Sequence, residues 1–140
     1  MSSSSGVDVS EECLERFQEL KLGKTLQYIL YKLDDSYKTI VLEKAVEKAT
    51  YDDFISELTS NGPRYAVYDF NYEKPGEGLR SKIAFYSWIP DDSKVKDKML
   101  YASSKDAIRK RLVGVAIEIQ GTDLSEVSYE TVLEKAFRSN

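Results

Sequence analysis

The chain has 140 residues, 41% of them hydrophobic and 31% charged, which suits one ordinary domain with a real core. It contains no histidine and a single cysteine, Cys13. Most zinc sites, the Ser-His and Cys-His nucleophile pairs and any internal disulfide are therefore excluded. The net charge is -4, but Lys94 to Arg111 holds seven cations against Asp97 and Asp106, so the remainder carries about -9.

Met1 to Gly6 is serine-rich and reads as a flexible tail, with neither the charged start nor the apolar run of a secretory signal. With one cysteine and no apolar run long enough for a membrane span, the chain reads as intracellular.

Val9 to Leu22 carries apolar residues at helical spacing, with Ser10 as N-cap before Glu11 and Glu12 and Gly23 as the stop. Leu26 to Leu33 and Lys38 to Val46 read as two strands around Asp34-Asp35-Ser36. Tyr51 to Leu58 is a short helix ended by Asn61-Gly62-Pro63. Arg64 to Tyr72 and Arg80 to Ile89 form a second strand pair around Lys74-Pro75-Gly76-Glu77-Gly78. Pro90-Asp91-Asp92-Ser93 stops a strand and caps a helix.

In Lys94 to Val113, Val95, Met99 and Ala102 share one helical face, while Ile108 and Leu112 lie on another. Together with the Ser103/Asp106 capping-box pattern, this predicts a long helix kinked or restarted near Ser103. Val115 to Ile119 is a buried strand. Asp123 to Arg138 is a last helix with Val132, Leu133, Ala136 and Phe137 inward. The expected fold class is α/β (α+β type): a five-stranded mixed sheet flanked by helices on both faces.

Three groups of cations carry the functional signal. Lys94, Lys96 and Lys98 oppose the dipole at the start of the long helix, a mild cost that points towards an anionic partner. Lys105, Arg109, Lys110 and Arg111 lie at its end, where cations favour the dipole and a solvated face explains them as well. Arg80 and Lys82 alternate onto one side of a strand, where an anionic partner and a charged edge that discourages aggregation are equal readings. The aromatics Tyr65, Tyr68, Phe70, Tyr72, Phe85, Tyr86 and Trp88 lie in strands and read as core, and with a pI near 5.0 no nucleic-acid partner is expected. No phosphate-cradling glycine motif occurs. Cys13 reads as core.

Five stretches then resemble one family: Leu20-Lys21-Leu22-Gly23-Lys24, Arg64 to Phe70, Trp88-Ile89-Pro90-Asp91, Lys98 to Asp106 and Gln120 to Val127. They follow the pattern of the ADF/cofilin family in order over nearly the whole chain, and fungal members most closely. The resemblance implies a tail over 1-6 and a single ADF-homology domain over 7-138. It implies binding to monomeric and filamentous actin, with preference for the ADP form, severing and depolymerisation, and no enzyme activity, cofactor or metal.

The site residues implied for both forms of actin are Ser5, Gly6, Val7, Lys96, Lys98, Met99, Lys105, Asp106, Arg109 and Lys110. Those implied for the filament alone are Arg80, Lys82, Glu134, Lys135 and Arg138. Phosphoinositide lipids compete with actin in this family, here through Lys96, Lys98, Lys105, Arg109 and Lys110, and phosphorylation before Gly-Val maps to Ser5. Asp97 stands where many members carry a small neutral residue, which implies somewhat weaker or more salt-sensitive binding. The resemblance further implies a monomer at the cytoplasmic actin cytoskeleton. The first hairpin, Lys32-Leu33-Asp34-Asp35-Ser36, lacks the basic import run of vertebrate members, so nuclear localisation stays open.

Two alternatives remain: a relative of glia maturation factor acting on the actin-branching complex, and an enzyme using the acid pairs Asp34-Asp35, Asp52-Asp53 or Asp91-Asp92. All three pairs sit where turn or capping residues belong.

Overall fold

The computed structural model describes residues 6-23 and 25-139. In chain order these form β1 (Asp8–Val9), α1 (Glu11–Gln18) with a π-helical turn at Glu19–Gly23, β2 (Tyr28–Leu33), β3 (Thr39–Val46), α2 (Tyr51–Leu58), β4 (Arg64–Lys74), β5 (Gly78–Trp88), α3 (Val95–Arg109), β6 (Val115–Gly121), a 3-10 turn (Leu124–Val127) and α4 (Tyr129–Arg138).

They build one mixed sheet in the order β1-β3-β2-β4-β5-β6. The central pairs β3-β2-β4-β5 are antiparallel, while β1 on β3 and β6 on β5 are parallel. The sixth strand corrects the expected five. β1 is only two residues, too short to show a period of two, and the Asp8 amide donates to the Lys38 carbonyl at 3.0 Å.

Strand β4 shows why helices must cover both faces. Tyr65 and Val67 belong to one buried cluster, and Ala66, Tyr68, Phe70 and Tyr72 to the other. Alternate side chains point to opposite faces, so an apolar residue at nearly every position demands cover on each. Phe17 and Leu20 of the first helix and Tyr101, Ala107 and Ile108 of α3 cover the first face. Phe54 and Leu58 of α2 and Val132 and Ala136 of α4 cover the second.

The long helix also differs from expectation. It runs from Val95 to Arg109 without a restart, and the Ser103 hydroxyl donates back to the Leu100 carbonyl at 3.2 Å instead of capping a new helix. The apparent slip in phase has another cause: Val95 and Met99 are 72% and 66% exposed, while Tyr101, Ser104, Ala107 and Ile108 face the core. The apolar start of the helix is a solvent face. Nor does Ser93 cap it, since Lys94 is the N-cap and makes no side-chain capping bond.

At the other end of the chain, the helix expected from Asp123 divides. Asp123 and Glu126 form a capping box around the 3-10 turn, and Ser128 caps α4 separately. Val132 and Ala136 are buried as expected, but Phe137 is largely exposed and meets only the edge of Tyr72, ring centroids 5.7 Å apart.

Candidate interaction surface

Two charged surfaces emerge from this frame. The first combines the start of the described chain with α3. Gly6 has a φ of 76°, a left-handed conformation that other residues adopt at a cost, and it turns Val7 into the core beside Cys13 and Phe17. β1 follows directly and packs near α3. Ser5 lies outside the described residues.

α3 is the odd helix out. Ser10, Thr50 and Ser128 cap the other α-helices with side-chain bonds, and acids follow each cap. α3 opens with Lys94, Lys96 and Lys98 around one acid, Asp97. Cations at a helix N-terminus cost a few tenths of a kcal/mol each, and a missing cap costs about 1 kcal/mol. Stability alone does not account for that choice.

The cations here are held in different ways. The Lys96 ammonium sits 4.8 Å from the Tyr37 ring centroid. The Tyr37 hydroxyl donates to Asp97 Oδ1 at 2.8 Å, and this bond raises the tyrosine pKa. Asp97 is thus tied to the β2-β3 turn. Arg109 donates to Glu118 Oε2 at 2.7 Å, so it is already paired to β6. Lys98, Lys105 and Lys110 make no ion pair among the described residues. Between these charges Val95, Met99 and Leu100, with the stem of Lys96, line an apolar depression of 330 Å³. Asp106 lies exposed on the outer side of the helix.

The second surface is where the β4-β5 hairpin meets the end of α4. Lys82 Nζ donates to the Ala136 carbonyl at 3.2 Å, to Ser139 Oγ at 2.8 Å and to the Ser139 carbonyl. An ammonium at a helix C-terminus satisfies carbonyls that lack intrahelical partners and favours the dipole. Lys82 therefore stitches the hairpin to α4, and with it brings Arg80 to the same end of the molecule as Lys135 and Arg138. Arg80 is paired with Glu77 and Arg138 with Glu134, both at exposed positions where such pairs contribute little. We expect Lys82→Ala to free the last turn of α4 at a cost of about 1 kcal/mol. Faster hydrogen exchange of the Lys135 to Arg138 amides would show it, and unchanged exchange would remove the stitch.

Sequence reasoning missed two residues. Leu79, 84% exposed at the hairpin tip beside Arg80, breaks no pattern because it adjoins a glycine turn. Val95 shares a helical face with Met99 by spacing, and nothing in the sequence says that this face lies in solvent. One acid of each of two pairs does local structural work: Asp34 Oδ1 accepts from Ser36 Oγ and the Lys38 and Thr39 amides, and Asp53 completes the capping box of Thr50.

Residues 6-137 match the family model of cofilin/tropomyosin-type actin-binding proteins. The chain belongs to the cofilin/ADF family. The cofilin of Mycosarcoma maydis is 60% identical over 136 residues, spanning 97% of this chain and 98% of that one. The cofilin of Schizosaccharomyces pombe is 52% identical over 136 residues, spanning 97% and 98%. Among solved structures, the crystal structure of Streptomyces griseoflavus cofilin superposes with a TM-score of 0.89 at 48% identity, covering 96% of this chain and all of that one. Plasmodium berghei actin depolymerization factor 2 does so with a TM-score of 0.77 at 29% identity, covering 97% and 96%.

Within this cofilin-family fold the implied residues separate into two patches. Gly6, Val7, Lys96, Lys98, Met99, Lys105, Asp106, Arg109 and Lys110 belong to the tail-and-α3 side. Arg80, Lys82, Glu134, Lys135 and Arg138 belong to the hairpin-and-α4 end. No described helix is long and apolar enough to cross a membrane.

Proposed function

We propose that this cofilin-family chain binds both monomeric and filamentous actin, prefers the ADP-bound form, and severs and depolymerises filaments so as to promote actin turnover. The observation that supports this most is the start of α3. An uncapped, cation-rich helix end carries two exposed aliphatic side chains, Val95 and Met99. Apolar anchors ringed by unpaired cations suit a partner cleft that is apolar within and acidic at its rim. Gly6 extends that surface, anchored by Val7, which is buried in the core beneath it, and Lys105, Asp106, Arg109 and Lys110 continue it along the helix.

The hairpin-and-α4 end is the second contact, made to the neighbouring filament subunit by Arg80, Lys82, Glu134, Lys135 and Arg138, with Leu79 as an added apolar contact. Engaging two subunits at once ties binding to filament geometry. That is how one small monomeric protein alters subunit packing without chemistry of its own.

A phosphate on Ser5 adds roughly -1.5 to -2 charges next to Gly6 and so weakens the docking of α3 on an acidic partner. Phosphoinositide head groups compete for Lys96, Lys98, Lys105, Arg109 and Lys110, with Arg109 less available because of Glu118. The protein acts at the actin cytoskeleton in the cytoplasm.

The reading is tested by titrating fluorescently labelled actin monomers, ADP-bound and ATP-bound in parallel. Tighter binding to the ADP form is the expected result. Absence of binding to either, with disassembly of branched filament networks instead, would favour the branching-complex alternative.

A further inference from the structure

The face of the sheet opposite α3 carries a second feature that the actin reading does not use. A groove of 390 Å³ runs between the first turns of α2 and α4, lined by Tyr51, Asp52, Ile55, Leu124, Tyr129 and Glu130. Its floor is fixed. The Tyr51 hydroxyl donates to the Val127 carbonyl at 2.6 Å and bonds Tyr86 at 3.0 Å, and its ring meets that of Tyr129 edge-on at 5.7 Å. Its walls are open, with Leu124 60% and Tyr129 40% exposed. Leu124 and Tyr129 thus stand together at one groove and are not scattered singly.

The charge around the groove is of one sign. Tyr51–Leu58 and Gly121–Glu130 contain Asp52, Asp53, Glu57, Asp123, Glu126 and Glu130 and no lysine or arginine. Among the described residues, only Glu57 of these six has an ion pair, with Lys44 at 2.8 Å. The two helix N-termini do not turn the site into an anion site, because Thr50 and Ser128 already cap their amides and carboxylates follow each cap. Each helix instead offers the same pair at the groove, a tyrosine followed by an acid: Tyr51-Asp52 and Tyr129-Glu130. A guanidinium fits that chemistry, with its plane on an aromatic ring and its N–H groups on a carboxylate.

We propose that this groove docks a short basic peptide segment of a partner protein. An arginine of that segment lies between Asp52 and Glu130 against Tyr129, and a neighbouring aliphatic side chain packs on Leu124 and Ile55. The molecule is then bipolar, cationic on α3 and a receptor for cations on the opposite face, so the peptide need not compete with a partner held on α3.

The test uses the whole chain alone, so its outcome is independent of actin binding. The probe is a fluorescein-labelled ten-residue peptide of alternating arginine and leucine, with a control in which serine replaces leucine, titrated at 0.15 M salt. Chemical shifts of the isotopically labelled protein are recorded in parallel. The expected result is saturable binding with shifts confined to 51-56 and 124-130. Affinity should fall tenfold or more in Asp52→Asn with Glu130→Gln and, separately, in Leu124→Ser, both of which keep the folded spectrum. Equal binding of the serine control, equal affinity in the variants, shifts scattered over the acidic surface, or no binding would each overturn the proposal. So would the same shifts appearing on raising the protein concentration without peptide, which would make a second copy of this chain the occupant.

Discussion

Lys96→Ala combined with Lys98→Ala should cost on the order of 100-fold or more in affinity for both actin monomers and filaments, about 3 kcal/mol, while leaving the fold intact. Two opposing small terms make the effect on stability near zero. Removing cations from the helix N-terminus returns a few tenths of a kcal/mol each, and losing the Lys96 contact with the Tyr37 ring takes away about 0.5 kcal/mol. Monomer titrations and urea unfolding of the same variant separate the two quantities. Full binding in a folded variant would dismiss the start of α3 as the site.

Phe54→Ala should do the reverse. The ring is fully buried and meets Tyr28, Tyr51, Tyr68 and Tyr86 at centroid distances of 5.0, 5.7, 4.8 and 4.9 Å. Its removal opens a cavity under α2 that neighbouring strands cannot close, because their side chains are locked in the sheet. The expected loss is about 3–5 kcal/mol, a large part of a typical domain stability of about 5–15 kcal/mol. Affinity for actin monomers, measured below the lowered melting temperature, should be unchanged, since α2 lies across the sheet from α3. A matching loss of affinity would mean that the two faces are coupled.

How far the chain announced this structure depends on which signal is asked. α2 was legible to the residue, Tyr51–Leu58, because Thr50 and Asp53 close one end with a capping box and Asn61-Gly62-Pro63 breaks the chain soon after the other. β4 was legible because aromatic and aliphatic residues fill both alternating sets. β1 was not, since two residues carry no period and the strand exists only because β3 offers an open edge.

The proposed site was legible in part from chemistry alone. Lys96 and Lys98 stood out as cations placed against a helix dipole, a choice that folding does not favour. Val95 and Met99 share a face by helical spacing, but spacing cannot say which way that face points, and only the structure shows it exposed. The true core face of α3 includes the buried Ser104, whose hydroxyl gives no apolar signal. Local rules fail at the helix start, where Lys94 leaves α3 without a side-chain cap and cations oppose the dipole. The hairpin-and-α4 patch came from family resemblance. Nothing in the spacing of Arg80 and Lys82 foretells that Lys82 would reach Ala136 and Ser139, more than fifty residues on. Tertiary contact of that kind is invisible to periodicity.

Co-sedimentation with preformed ADP-actin filaments, with filament lengths imaged in parallel, tests the central claim most directly. Binding accompanied by shortened filaments is the expected result. Filaments that neither bind the protein nor shorten would contradict it.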